Sequence, residues 1–329
     1  MTDPGPRVLH VNDCARVAHN LVTAAHARGY GWRHLPPSAV RPPGATPTGA
    51  GRVRWLPYVL RRRAELTRAQ VAHVHYATSV PLVTAASMPR RPYFLHLHGT
   101  DIREQWAAPA TRDLVRRAVD GAVGVYYTNL DTAENARAAR PDAEFMPAFV
   151  DAARLPEWRP GSGPDPTVVF ASRWGPEKGA ARMLEVVEAL RSAVPAARLV
   201  GLDWGPMAAE ARAAGVELVG PLPHRGYLDL LAGADLVVGQ ATGLLGVSEL
   251  EAMAIGAPLA MPGVPWRYPD GALPPVIAGA PGEVAEQARE ALADPAAAAA
   301  RLGARGWARE NFVADRYVEE LERRYAAAV

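Results

Sequence analysis

Three stretches of this chain carry side chains that could do chemistry together. The first is His96-Leu97-His98-Gly99-Thr100-Asp101, directly after an apolar run. His98 and Asp101 offer a hydrogen-bond donor and an acceptor, and Gly99 lets a backbone approach a ligand closely. The same residues would also make a capped turn over a buried histidine. The second is Arg173-Trp174-Gly175-Pro176-Glu177-Lys178-Gly179, where two cations five residues apart can converge on one anion. A departing diphosphate needs such a pair, although a solvated loop with two surface charges reads the same way. The third is Gly243-Leu244-Leu245-Gly246-Val247-Ser248-Glu249-Leu250-Glu251. A glycine turn there opens a helix whose leading amides and dipole attract phosphate. Glu251, just over one turn in, can accept hydrogen bonds from ribose hydroxyls. At 100° per residue Glu249 and Glu251 lie about 200° apart, so only one of them can face a ligand.

Several other chemistries lack their residues. No P-loop exists, because Gly175–Gly179 has neither the glycine spacing nor a hydroxyl residue after Lys178. The Gly161-Ser162-Gly163 run is followed by prolines and is no dinucleotide fingerprint. Ser248 lacks the second glycine of a nucleophile elbow. There is no H-E-x-x-H, and no Asp-x-Asp pair for a metal-bound diphosphate.

These stretches sit where strands hand over to helices. Arg7–Val11, Val71–Tyr76, Tyr93–Leu97 and Val123–Tyr127 read as strands covered on both faces, with helices over Cys14–Arg28 and Ala108–Val119. Pro156, Pro160, Gly161, Gly163, Pro164 and Pro166 break the pattern, which predicts a linker over 156–166. Alternation then resumes. Strands are expected at Val168–Ala171, Arg198–Gly201, Glu217–Val219, Leu236–Val238 and Leu259–Met261. Helices are expected at Ala180–Ala193, Met207–Ala214, Tyr227–Ala232 and Val247–Ile255. Two doubly wound α/β domains follow, 1–155 and 167–311, each with a Rossmann-like parallel sheet. Residues 312–329 form an amphipathic helix with Ala314, Tyr317, Val318, Leu321 and Tyr325 on one face, which must pack on something already formed.

With 329 residues, 49% of them hydrophobic, each half can bury a core. The 36 basic and 34 acidic residues nearly cancel, to +2, unlike a dedicated nucleic-acid binder. A single cysteine, Cys14, allows neither a disulfide framework nor a thiolate zinc cage. No apolar run approaches the roughly 20 residues of a membrane span, and Met1–Pro6 lacks a signal-peptide layout, so a cytoplasmic protein is expected.

In order and spacing, the three stretches resemble glycosyltransferase family 4 of the GT-B enzymes. That family has an H-G-x-D-type turn, matched by His98, Gly99 and Asp101. It also has a strand leading to G-R and E-K-G, here Ser172-Arg173 and Glu177-Lys178-Gly179. Its E-x-x-G-x-x-x-x-E-A-M is matched by Gly246, Glu251, Ala252 and Met253. Val219-Gly220-Pro221-Leu222-Pro223 is similar to its base-binding loop, and Trp307–Tyr325 to its crossing C-terminal helix. The position of the family's first motif glutamate, which contacts the transferred sugar, holds Gly243.

The resemblance implies a GT-B fold of two facing domains, an acceptor-binding N-terminal one and a donor-binding C-terminal one. It implies transfer from a UDP- or GDP-type sugar, with retention, without metal or cofactor, to a natural-product, glycan or lipid-linked hydroxyl. His98, Arg173, Lys178 and Glu251 would be catalytic, and Gly220, Leu222, Gly243, Leu244, Leu245, Gly246, Val247 and Glu251 would bind donor. The acceptor would meet Asn12, Asp13, His75, Tyr76, Thr78 and Asp101. A nucleotide-sugar 2-epimerase and an auxiliary nucleotide-binding paralogue are the alternatives. Arg52, Arg54, Arg61, Arg62 and Arg63 read as a solvated helix face in preference to an anionic-acceptor or membrane contact.

Overall fold

Apolar runs with no polar alternation favour strands buried on both faces, and both sheets of the computed structural model are wholly parallel between neighbouring strands. The structure describes residues 5–44, 53–161, 163 and 165–329. Met1–Pro4, Arg52, Ser162 and Pro164, all used in the sequence reading, lie outside the described residues. The chain divides into two units, Met1–Phe149 with Ala314–Val329, and Val150–Val313.

The first unit runs β1 (Val8–Val11), α1 (Val17–Ala27), β2 (Arg33–Leu35), α2 (Pro37–Val40), α3 (Leu56–Arg68) and β3 (Val71–His75). It continues through α4 (Pro81–Thr84), β4 (Tyr93–Leu97), α5 (Pro109–Asp120), β5 (Gly124–Tyr127), α6 (Ala133–Ala139) and β6 (Glu144–Phe145). The strand order is β2-β1-β3-β4-β5-β6. The chain therefore reverses between β1 and β3, and a ligand crevice in such a sheet opens above the carboxyl ends at that reversal.

The second unit runs β7 (Thr167–Phe170), α7 (Ala180–Ala193), β8 (Arg198–Leu202), α8 (Ala208–Ala213), β9 (Glu217–Val219) and α9 (His224–Ala232). Then come β10 (Leu236–Val238), α10 (Val247–Ile255), β11 (Leu259–Pro262), β12 (Ile277–Gly279), α11 (Pro281–Ala293), α12 (Pro295–Leu302) and α13 (Ala304–Asn311). Its order is β12-β11-β10-β7-β8-β9, so its reversal lies between β7 and β10. The arginine and glycine stretches singled out above follow those two strands.

The unit boundary falls at Phe149, ahead of the proline-rich segment expected to link the domains. That segment is tied to the second unit instead. Trp158 Nε1 donates to Ala234 O at 2.8 Å, and Gly161 N and Thr167 N donate to the Asp235 carboxylate at 2.8 and 2.7 Å. The last helix, α14 (Asp315–Ala326), belongs to the first unit. Its Val318, Leu321 and Tyr325 are buried, and Trp32 Nε1 donates to Glu322 at 2.7 Å.

Of the arginine run, Arg54, Arg61 and Arg63 are exposed on α3 or just before it, next to exposed Val53, Leu56 and Leu60. Arg62 is buried and bonded to Val40 O, so the run is not one solvated face. Among the described residues no helix is long and apolar enough to cross a membrane.

Candidate functional site

In the second unit, the turn after β7 and the turn after β10 are stitched together. Ala241 N donates to Lys178 O at 2.9 Å, and Lys178 Nζ reaches Gln240 Oε1 at 3.1 Å. Gly179, at φ 72°, must be glycine for this approach, because a Cβ there would meet Ala241 at 2.9 Å. Gln240 lies in turn beside Gly246, the N-cap of α10, with its amide nitrogen 3.2 Å from the site of a Gly246 Cβ. Lys178 is thus held by a neutral partner near the positive end of a helix, a combination that attracts an anion.

Arg173 takes a different position. Its guanidinium pairs with Glu177 at 2.6 Å and lies over the exposed Trp204 ring, 5.4 Å from its centre. Arg173 and Lys178 leave the same turn, but only Lys178 is tied toward the helix start.

The two glutamates of α10 separate as their angular spacing requires. Glu249 is consumed internally: Ser172 Oγ and Gln240 N donate to Oε1, both at 2.9 Å, and Gly246 N to Oε2 at 2.8 Å. Glu251 points the other way and meets His224 Nε2 at 2.8 Å. His224 opens α9, directly after the exposed Gly220–Pro223 loop, so the predicted base-binding loop leads straight to Glu251. Tyr227, one turn along α9, donates to Ala171 O at 2.8 Å and locks α9 against the end of β7. Leu244, Leu245, Gly246 and Val247 line this edge half-buried.

Gly243 has a local cause. Its φ is 78°, and a Cβ would collide with the Val264 carbonyl and come 3.1 Å from Trp266. Trp266 N donates to Gly243 O at 3.0 Å. The segment 264–266 therefore fills the space that a longer side chain at 243 would need.

In the first unit, Asn12, Ala15, Arg16 and Tyr76 all have positive φ, between 52 and 83°, and all follow β1 or β3. No other described non-glycine residue does. Such conformations cost about 1–3 kcal/mol each and gather at functional sites. They also delay α1, which begins at Val17, three residues after the predicted Cys14 start. Asn12 Nδ2 donates to His75 O and Ser79 Oγ, at 3.1 and 2.9 Å, bridging the two strands at the chain reversal. Asp13 accepts from Ala18 N and His19 N at 3.0 and 3.3 Å, and so caps α1. Tyr76 and Thr78 are half-buried at the same edge.

The His98 turn is more internal than its sequence suggests. Asp101 accepts from His98 N, Ile102 N and Ala77 N at 3.0, 3.1 and 3.1 Å, and burial pushes its carboxyl up to about 6. His98 uses both ring nitrogens: Nε2 contacts His75 Nδ1 at 3.1 Å and Nδ1 contacts Thr128 Oγ1 at 3.2 Å. His75 continues to His10, again at 3.1 Å. His75 is fully buried within this chain of rings, away from any acceptor at the surface.

No protein-family model matches the sequence, and no curated protein matches it either. Solved structures do match. Sucrose-phosphate synthase from Thermosynechococcus elongatus aligns over 98% of this chain and 100% of its own, with TM-score 0.67 and 17% identity. HepE of Anabaena in complex with UDP aligns over the same shares, 98% and 100%, with TM-score 0.67 and 13% identity. AviGT4, a glycosyltransferase involved in avilamycin A biosynthesis, covers 98% of each chain with TM-score 0.59 and 21% identity. These matches run through both sheets. The chain has the GT-B fold. A UDP-N-acetylglucosamine 2-epimerase candidate from Listeria monocytogenes is similar too, with TM-score 0.57, 14% identity and 96% of this chain covered.

Within this GT-B chain, several residues of the candidate site escaped the sequence reading. Gln240, which holds Lys178, is an isolated polar residue after an apolar strand and has no motif around it. His224 opens α9 and Trp204 lies in a loop, and only the fold brings them beside Glu251 and Arg173. The histidine row had a visible signal: His73-Val74-His75 and His96-Leu97-His98 alternate at the strand period.

Proposed function

We propose that the chain is a glycosyltransferase that moves a sugar from a UDP- or GDP-type donor to a hydroxyl acceptor, with retention and without an essential metal. The observation that carries this reading is Lys178, which Gln240 holds near the first amides of α10, with Glu251 one turn further along. Breaking the sugar–phosphate bond leaves negative charge on the departing diphosphate. A lysine and a helix start can stabilise that charge in place of a metal ion. Arg173 joins them when the diphosphate displaces Glu177 from its guanidinium. Glu251 takes the ribose hydroxyls, and Gly220 and Leu222 border the base.

In this reading the first unit serves the acceptor through Asn12, Tyr76 and Thr78, while Asp13 and Asp101 shape the loops. His98 offers Nδ1 to the donor sugar in exchange for Thr128. The leaving phosphate takes the acceptor proton, so no side chain is assigned as general base.

Thermal-shift measurement against UDP, GDP, ADP, CDP and TDP and their sugars identifies the donor, since a ligand of the folded state raises the melting temperature. With that donor saturating, Lys178→Ala lowers kcat by about 10²–10³, the loss typical of one preorganised donor. Unchanged turnover would remove Lys178 from the mechanism. The 2-epimerase reading is favoured by the Listeria neighbour. It requires turnover of the nucleotide sugar with no acceptor present, which a product assay reads directly.

A further inference from the structure

Three imidazoles of the first unit have no part in the chemistry above. His73 and His75 on β3 and His96 on β4 share one face of the sheet and are completely buried. Each can present a ring nitrogen such that the three nitrogens lie within 4.8 Å of one another.

The hydrogen bonds around two of them settle where the protons sit. His96 Nε2 lies 3.1 Å from Met146 O. A carbonyl only accepts, so Nε2 carries the proton and Nδ1 is a bare lone pair. That Nδ1 has no hydrogen-bond partner. His73 Nδ1 bonds the Tyr325 hydroxyl, while its Nε2 also has no partner. Were the proton on Nε2, an N–H would be buried without an acceptor, so it belongs on Nδ1 and His73 supplies a second bare lone pair. Burial holds His73, His75 and His96 below the ordinary imidazole pKa, with His96 lowered to about 4, so all three are neutral at pH 7.

A neutral imidazole with one nitrogen tied to a carbonyl or hydroxyl and the other bare is the form in which histidine binds transition metals. We propose that His73, His75 and His96 hold one divalent transition-metal ion of the nitrogen-preferring class, represented by Zn²⁺, inside the first unit, in a three-imidazole set that leaves a fourth position open. Three atoms no more than 4.8 Å apart share a centre within about 2.8 Å of each. A zinc–imidazole bond is about 2.0–2.1 Å, so the nitrogens draw in by at most about 0.7 Å, and rings that lie 14, 28 and 36° from parallel also turn their lone pairs toward that centre. Both nitrogens of His75 are engaged, at 3.1 Å to His10 and to His98. His75 therefore gives one nitrogen to the ion, the imidazole facing that nitrogen turns aside, and the link on the other side is kept. The all-imidazole set suits zinc, copper or nickel and excludes the oxygen-seeking magnesium and calcium. The ion stabilises the unit and takes no step in sugar transfer, so its presence or absence leaves that reaction assignment intact.

The full chain, produced without a histidine tag in zinc-supplemented medium and desalted, is assayed for metal by elemental mass spectrometry. About one equivalent of zinc per chain is expected, with a melting temperature several degrees above that of chelator-stripped protein. X-ray absorption at the zinc edge should show three imidazole nitrogens in the unmutated protein, a reading that needs no variant to fold. His73→Phe and His96→Gln should each abolish both retention and the thermal gain. His34→Ala, which removes an imidazole 3.8 Å from Asp13, should change neither. Less than about a tenth of an equivalent in the unmutated protein, an oxygen-dominated ligand shell, or undiminished zinc in both variants overturns the proposal.

Discussion

Replacing Gly243 by glutamate would install the carboxylate that the resembled family carries at this place, and the structure predicts that this protein cannot accept it. Two terms add. A non-glycine residue at φ 78° costs about 1–2 kcal/mol. Driving a Cβ into the Val264 carbonyl forces the 264–266 segment outward, an overpacking term of about 1–3 kcal/mol. The total is about 2–5 kcal/mol, carried by the second unit. At about 2–4 °C per kcal/mol for a domain of this size, the melting temperature falls by roughly 4–20 °C. Differential scanning calorimetry of the full chain reads this directly. Gly243→Ala serves as control: it brings the same Cβ without the carboxylate and should lose nearly as much. The reasoning is refuted if Gly243→Glu melts with the unmutated protein and binds nucleotide sugar more tightly. In that case segment 264–266 yields freely, and glycine at 243 reflects something other than space.

Gln240→Ala frees Lys178 Nζ from its neutral tether, and losing a hydrogen bond worth about 1 kcal/mol should lower kcat about fivefold, with folding unchanged by circular dichroism. Glu251→Ala should weaken nucleoside diphosphate binding in calorimetry, and equal affinity would take Glu251 out of ribose recognition. Asp101 titrates near 6 in the folded state, above its unfolded value, so the folded protein gains a proton first on acidification. Relative to Asp101→Asn, the unmutated protein should therefore gain about 1 kcal/mol of stability between pH 7 and pH 5 in urea unfolding. A stability difference independent of pH would contradict the raised pKa.

Strand-helix alternation made both sheets legible because their strands are apolar and their helices long. The runs Tyr93–Leu97, Glu217–Val219 and Leu236–Val238, and the helices Ala180–Ala193 and Val247–Ile255, coincide with the observed elements. Among the elements missed, β2 and β6 carry polar residues in strands of three and two residues, so no apolar run like that of Leu236–Val238 marks them. α2 and α4 are single turns, and α6, α11 and α13 lack a clear apolar stripe. In the candidate site, angular spacing alone separated Glu249 from Glu251, because that argument needs only the helix itself. Arg173 was less legible: Glu177 stands four residues away in its own turn, but the Trp204 ring becomes a neighbour only once β7 and β8 are paired. The histidine row needs the register of β1, β3 and β4, which no single segment contains.

The position of α14 sets an order of events during synthesis. Tyr325 and Glu322 complete the interior around Trp32 and His73, yet they leave the ribosome only after residues 150–313. The first unit is thus finished only once the second has been made, and residues 150–313 can reach their native contacts in the meantime. Until α14 has emerged, the nascent first unit keeps a gap along α1 where a holding chaperone would find bare apolar surface.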